Sequence, residues 1–272
     1  MLYWFALLAL ASALCYSRRM SASIDLDATL FSGQTFAWSK QDGVYQAVVG
    51  RQLVCFTEKT FDPLLAQNGA LRRYFDMDWE YGRAESYLSS LDPHLARAIQ
   101  AYKGLHILNQ DPWEVLMGFL LSQNNNIKRI RGMYELLSKH FGTHVEGPWY
   151  AFPRPEQLMN VSEQDLRQLG MGFRAPYLLD AIQNHALLQA IPDLGDEEAY
   201  RALQTIRGVG PKVALCILAF AFHRQQAFPL DTWMLKVMKT RYPGRDASYF
   251  APYAALAQQY LFHFERTQGG RL

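Results

Sequence analysis

Lys212 and Asp231 are the residues of this chain whose types and spacing could support nucleophilic chemistry assisted by a carboxylate. They stand nineteen residues apart in the segment LQTIRGVGPKVALCILAFAFHRQQAFPLD, Leu203 to Asp231. A helix expected to end at Ile206 meets Gly208-Val209-Gly210, and Pro211 then opens a second helix as its first-turn residue, where the missing N–H costs nothing. Two glycines allow a tight turn and expose amide donors beside a helix N-terminus, an arrangement that takes a phosphate without reading sequence. The dinucleotide version of such a turn needs a preceding strand and a third glycine. Here a helix precedes it. Lys212 falls in the first turn of the new helix, where the helix dipole and nearby cations disfavour a protonated amine and so favour a nucleophile. Asp231 follows Pro229 and precedes TWMLKVM, which makes it an N-cap candidate. Amine and carboxylate, each at a helix start and joined by one apolar helix, could face a common cleft. Each also has a plainer role open to it, as a surface cation or as a simple cap.

Positioning such a pair requires a helical frame, and the sequence supplies one. DPWEVLMGFLLSQ places Asp111 as N-cap, Pro112 at the first helical position and Glu114 three residues after the cap, the spacing of a capping box. IKRIRGMYELLSKHFG spaces Ile127, Ile130, Met133, Tyr134 and Leu137 at helical intervals and stops at Gly142. Further helices are expected in SEQDLRQLG, APYLLDAIQNHALLQ, DEEAYRALQTI, PKVALCILAFAF, TWMLKVMKTRY and YAALAQQYLFHF. Earlier in the chain, Leu30 to Thr57 is strand-like, with Asp42-Gly43 and Gly50 as hairpin turns. No long-period repeat suggests a solenoid.

The composition sets the outer limits. Of 272 residues, 50% are hydrophobic and 19% charged, enough apolar surface for a sizeable core and against wholesale disorder. A net charge of +2 neither demands nor excludes a nucleic-acid partner. Cys15, Cys55 and Cys216 are the only cysteines, too few for a disulfide framework or four thiolates on a metal. Residues 1–22 read as an apolar leader or mis-assigned start. Met1 to Leu14 is almost wholly apolar, but Arg18-Arg19 follows it rather than preceding it, unlike a secretory signal. An over-extended start is favoured over a short membrane anchor.

Beyond these residues, the segment from IRGVGPKVALC to FPLD resembles the helix–hairpin–helix and Gly/Pro-rich loop of the base-excision DNA glycosylase superfamily (HhH-GPD). SGQTFAW (Ser32 to Trp38), DPWEVLMGFLLSQNNNIKRIRGM (Asp111 to Met133), LGMGFRAPYL (Leu169 to Leu178) and PYAALAQQYLF (Pro252 to Phe262) are similar to the 8-oxoguanine DNA glycosylase/AP lyase family, in that family's order, across residues 24 to 264. The resemblance implies an α+β, mainly α fold: an N-terminal antiparallel β-rich domain over 23–106 and a helical glycosylase region over 107–272, whose last helix packs back on the rest.

It also implies roles. Lys212 would attack the anomeric carbon, expel the base, form a Schiff base and permit β-elimination. Asp231 would stabilise the cationic sugar. The Gly33 carbonyl would accept the N7 hydrogen that 8-oxoguanine has and guanine lacks, although a glycine there could simply open a strand. Cys216 and Phe262 would sandwich the extruded base and Gln258 bond its Watson–Crick edge; by pattern alone, Cys216 and Phe262 read as helix core. Asn124, Arg129 and Arg174 would contact the estranged cytosine with Phe173 as wedge, while the asparagine run by itself reads as a capping turn. Gly208 and Gly210 would hold phosphate, and the Ile206 and Val209 carbonyls a structural monovalent or calcium ion.

The chain departs from the family at Trp233, where mammalian-type members carry a histidine, and at Phe173, where tyrosine is commoner. No cofactor is required and no iron–sulfur cluster is expected, since no cysteine follows Cys216. The implied partner is double-stranded DNA containing 8-oxoguanine, bound by a monomer without a stable membrane partner, in the cytoplasm, on a nucleoid or in a nucleus. Two alternatives stand beside this: a monofunctional alkylpurine-type glycosylase, which would have no use for Lys212, and a non-catalytic DNA-binding protein using the hairpin for phosphates.

Overall fold

The computed structural model describes residues 24–267; the apolar leader and Cys15 lie outside them. Three antiparallel strands, β1 (Ser39–Gln41), β2 (Val44–Val49) and β3 (Gln52–Phe56), form a meander in sequence order. The β1–β2 turn places Asp42 at φ +50° and Gly43 at φ +78°, the left-handed pair that a two-residue hairpin demands. Gly50, at φ +62°, makes the second turn. The strand expected from Leu30 begins only at Ser39, because Leu26–Phe31 is a helix. Asp25 starts it by accepting the Ala28 N–H at 2.8 Å, and that local cap outweighs the β-favouring residues that follow.

The sheet's inner face closes on an aromatic cluster. Phe61 stands 4.9 Å from Phe56 and 4.8 Å from Phe75, ring centre to ring centre. Trp38, 1% exposed, donates its indole N–H to the Tyr74 hydroxyl at 2.9 Å, so its polar tip is satisfied inside an apolar body.

The second and larger core is helical. Pro112–Ser122 and Pro211–Phe222 run through its middle and are apolar on nearly every side, as fully enclosed helices are. Helices Tyr81–Leu91 and Pro93–Ala101 contribute Leu88 and Leu95 to this core, not to the sheet's, and the final helix, Ala254–Thr267, buries Ala254 to Leu261 in it. The Tyr260 hydroxyl bonds Glu85 at 2.6 Å, locking the last helix to the earlier pair.

Other expectations needed adjustment. Asp111 caps its helix, accepting the N–H groups of Trp113 and Glu114. Glu114 does not reach back to complete a capping box. It accepts the Tyr134 hydroxyl at 2.8 Å instead. Burial, reinforced by the Asp111 charge, pushes its carboxyl up to about 7. The run expected as one helix from Ala175 divides into Ala175–Gln183 and Leu187–Ala190, because the Asn184 side chain bonds the Asp180 carbonyl at 2.9 Å and ends the first. The helix before the glycine turn stops at Leu203 rather than Ile206. Among the described residues no helix is long and apolar enough to cross a membrane.

Candidate active site

Where the Pro211–Phe222 helix begins, a cavity of about 710 Å³ opens beside the helical core. Lys212 and Asp231 both line it, with Gly33, Phe119, Asn124 and Phe262 around them. Amine and carboxylate therefore share one cleft, as the spacing of two helix starts suggested.

Asp231 is the N-cap of Thr232–Arg241 and accepts the Met234 N–H at 2.8 Å. Capping uses one carboxylate oxygen, and the residue lines the cavity as well. The Lys212 Nζ lies 4.9 Å over the face of Phe119, within cation–π range. One turn along its helix, Cys216 is 2% exposed. Burial pushes the Cys216 thiol up, against the lowering effect of the neighbouring Lys212 amine and with a raising effect from Asp231. Cys216 does not line the open cavity. Nor does Gln258, one turn before Phe262 on the last helix and 4% exposed, which accepts the Gln259 amide at 3.2 Å.

The glycine turn is built from one strained residue and one ordinary one. Gly208 has φ +88°, and a Cβ there would meet Tyr177 Cγ at 2.5 Å. Its carbonyl accepts the Gln123 side-chain amide at 3.0 Å, tying the turn to the asparagine loop. Gly210 lies in extended backbone, φ −89° and ψ −177°, as N-cap of the lysine-bearing helix, and a Cβ there would meet nothing within 4 Å. Its contribution is open space at the helix N-terminus. Ile206 and Val209 are buried, and the Ile206 carbonyl accepts the Val209 N–H at 2.9 Å.

On the far side of that loop, Asn124 holds φ +46° and is exposed. Arg174, 2% exposed, donates to the Gln123 carbonyl and, at 3.1 Å, to that of Asn124, while its guanidinium stacks 4.3 Å over Phe173. Phe173 is 46% exposed, a large apolar ring facing water. Arg129 is exposed one turn into the next helix, and its charge adds to burial in lowering the Arg174 guanidinium's affinity for its proton.

Three participants escaped the sequence. Phe119 looked like one more core residue of an apolar helix. Gln123 stood beside a more conspicuous asparagine run. Arg266 lines the cavity one turn beyond Phe262, and that i, i+4 relation to a named site residue was its available signal.

A family model described as the 8-oxoguanine DNA glycosylase N-terminal domain matches residues 18–116, and one described as the HhH-GPD superfamily base excision DNA repair protein matches 117–249. N-glycosylase/DNA lyase OGG1 of Arabidopsis thaliana is 31% identical over 282 residues, covering 88% of this chain and 76% of the relative. The 8-oxoguanine glycosylase/lyase of Clostridium acetobutylicum, solved with duplex DNA containing cytosine opposite 8-oxoguanine, superposes with a TM-score of 0.80 at 31% identity, covering 91% of this chain and 93% of that one. A 3-methyladenine DNA glycosylase from Archaeoglobus fulgidus, at 18% identity and TM-score 0.63, shares the fold.

Proposed function

The chain belongs to the 8-oxoguanine DNA glycosylase/AP lyase family of the HhH-GPD superfamily, and on that premise we propose that it excises 8-oxoguanine from duplex DNA through an imine on Lys212 and then cleaves the strand. The observation that carries this is the cavity shared by Lys212, Asp231, Gly33 and Phe262. An amine nucleophile, a carboxylate, a bare backbone carbonyl and an aromatic face together suit a flipped purine and the covalent route to breaking its glycosidic bond.

In the proposed sequence the unprotonated Lys212 Nζ bonds to C1′ as the C1′–N9 bond breaks. The bond pair leaves with the base, which takes up a proton. Positive charge gathers on the sugar, and Asp231, held by its helix cap, stabilises it. Ring opening gives the imine between Nζ and C1′. Loss of a proton from C2′ then expels the 3′ phosphate.

Base choice rests on Gly33, whose carbonyl meets a donor at N7 of 8-oxoguanine and an acceptor at N7 of guanine, leaving buried acceptors unpaired in the wrong complex. Phe262 supplies one stacking face. Cys216, one turn along the helix from Lys212, and Gln258, one turn before Phe262, complete the pocket in this reading, both buried and neither lining the open cavity. Across the gap, Phe173 fills the stack while Asn124, Arg129 and Arg174 present donors to a cytosine, which favours that base over adenine. Gly208 and Gly210 seat a backbone phosphate. The Ile206 and Val209 carbonyls form the cradle for a structural cation; a carbonyl oxygen has two lone pairs, so the Val209 N–H leaves Ile206 room for one.

The test is to follow base release and strand cleavage separately on a duplex carrying 8-oxoguanine opposite cytosine. Both should occur. Release without cleavage would point to a monofunctional glycosylase, and binding with neither to a phosphate-holding module.

A further inference from the structure

We infer that Arg266 is a specificity-determining residue that donates a hydrogen bond to the oxygen at C8 of the damaged base. This rests on the reading of Gly33 as the N7 contact. A Cβ built on Gly33 would lie 3.6 Å from Arg266 Nη1 and 3.6 Å from Phe262 Cε1, so glycine, guanidinium and ring form one wall of the cavity. C8 is bonded to N7, so with N7 held at the Gly33 carbonyl the substituent on C8 comes within reach of a donor on the same wall.

Arg266 is held for that task. Its Nη2 donates to the Phe31 carbonyl at 2.9 Å, and its guanidinium lies 5.2 Å over the Phe262 ring. No carboxylate forms a salt bridge with it among the described residues. Burial lowers its affinity for the proton, the Asp231 charge restores part of it, and Arg131 opposes. A partly desolvated cation on the cavity wall, without a close ion pair among the described residues, calls for an acceptor from the ligand. An oxygen at C8 supplies one. Guanine presents a C–H there and would leave the cation unsatisfied, so Arg266 and Gly33 would check the two atoms by which lesion and normal base differ.

The test compares Arg266→Met, which keeps an apolar stem against Phe262, and Arg266→Lys, which keeps the charge near Asp231, with the unmodified chain in single-turnover reactions on 8-oxoguanine opposite cytosine. Strand cleavage at a preformed abasic site is measured beside it. Base excision by Arg266→Met should fall about ten- to a hundredfold, the worth of a hydrogen bond to a charged group, while cleavage at the abasic site stays within about twofold, since no base is present there. Arg266→Lys should recover only part of the loss, because one compact ammonium does not replace a fixed fork. Equal losses on both substrates would make Arg266 a backbone or Asp231 contact and overturn the inference, as would undiminished excision by Arg266→Met in a folded protein. Failure of the unmodified chain to excise 8-oxoguanine would instead sink the functional reading itself.

Discussion

Replacing Gly208 with alanine tests how the hairpin is built. The residue sits at φ +88°, where an L side chain costs about 1 kcal/mol through its contact with the following carbonyl. The added methyl would also lie 2.5, 2.7 and 2.9 Å from Cγ, Cδ2 and Cβ of Tyr177, each far inside van der Waals contact. Tyr177 cannot swing freely away, since its ring packs edge-on against Phe173 at 6.2 Å and carries the Arg207 guanidinium at 5.9 Å. Overpacking of this kind costs about 1–3 kcal/mol. Gly208→Ala should therefore lower unfolding stability by about 2–4 kcal/mol, read as a lower urea midpoint at unchanged slope. Tyr177→Ala removes the two nearest atoms and leaves the 2.9 Å contact, so the double variant should recover about 1–2 kcal/mol relative to additivity. DNA affinity should drop with the single change, because the turn that offers amides to phosphate must move. A loss below about 0.5 kcal/mol, the range of a neutral surface change, would refute the argument from close approach.

Asp231→Asn keeps a good cap and removes a charge at the sugar, so the melting profile should hold while base excision slows by about two to four decades; unfolding in circular dichroism would mean that the cap role dominates. Arg129→Ala, an exposed change, should narrow the preference for cytosine over adenine opposite 8-oxoguanine by about 1–3 kcal/mol in single-turnover rates. Arg174→Ala should add a stability loss, since it also frees the Gln123 and Asn124 carbonyls; unchanged discrimination in Arg129→Ala would rule out cytosine reading by that residue. Glu114 has a carboxyl raised from 4.5 to about 7, so the folded state holds a proton that the unfolded chain releases. Its contribution to stability is full below pH 4.5, declines as pH rises towards 7 and is lost above. Glu114→Gln should be the more stable protein at pH 8, by about 1–3 kcal/mol in urea unfolding, and a stability difference independent of pH would contradict this.

The pairing of Lys212 and Asp231 in one cleft was legible because their helix starts are marked locally, whereas Gly33, Asn124 and Phe262 came only with the family resemblance. Pro211 after a glycine turn fixes where the Lys212 helix starts, and Pro229 before Asp231 does the same for the next one. The hairpin turn at Asp42-Gly43 needs only two residues to specify itself. What stayed hidden depends on contacts distant in sequence. Glu114 had capping-box spacing, yet a tyrosine twenty residues on claims it. Asp25 turned the start of an expected strand region into a helix. Nothing local distinguishes Phe119 from its buried neighbours or brings Arg266 to Gly33, 233 positions earlier. Nor does anything local show that the Arg174 Nη2 group is already engaged by the Gln123 and Asn124 carbonyls.

In the proposed reaction the Lys212 amine becomes covalently joined to the sugar. Borohydride reduction during reaction with a duplex containing 8-oxoguanine opposite cytosine, followed by peptide mapping, tests it most directly. A stable protein–DNA adduct is expected on the peptide carrying Lys212, and no adduct from Lys212→Gln although that variant still binds the duplex. An adduct that persists in Lys212→Gln, or one that maps to another residue, would contradict it.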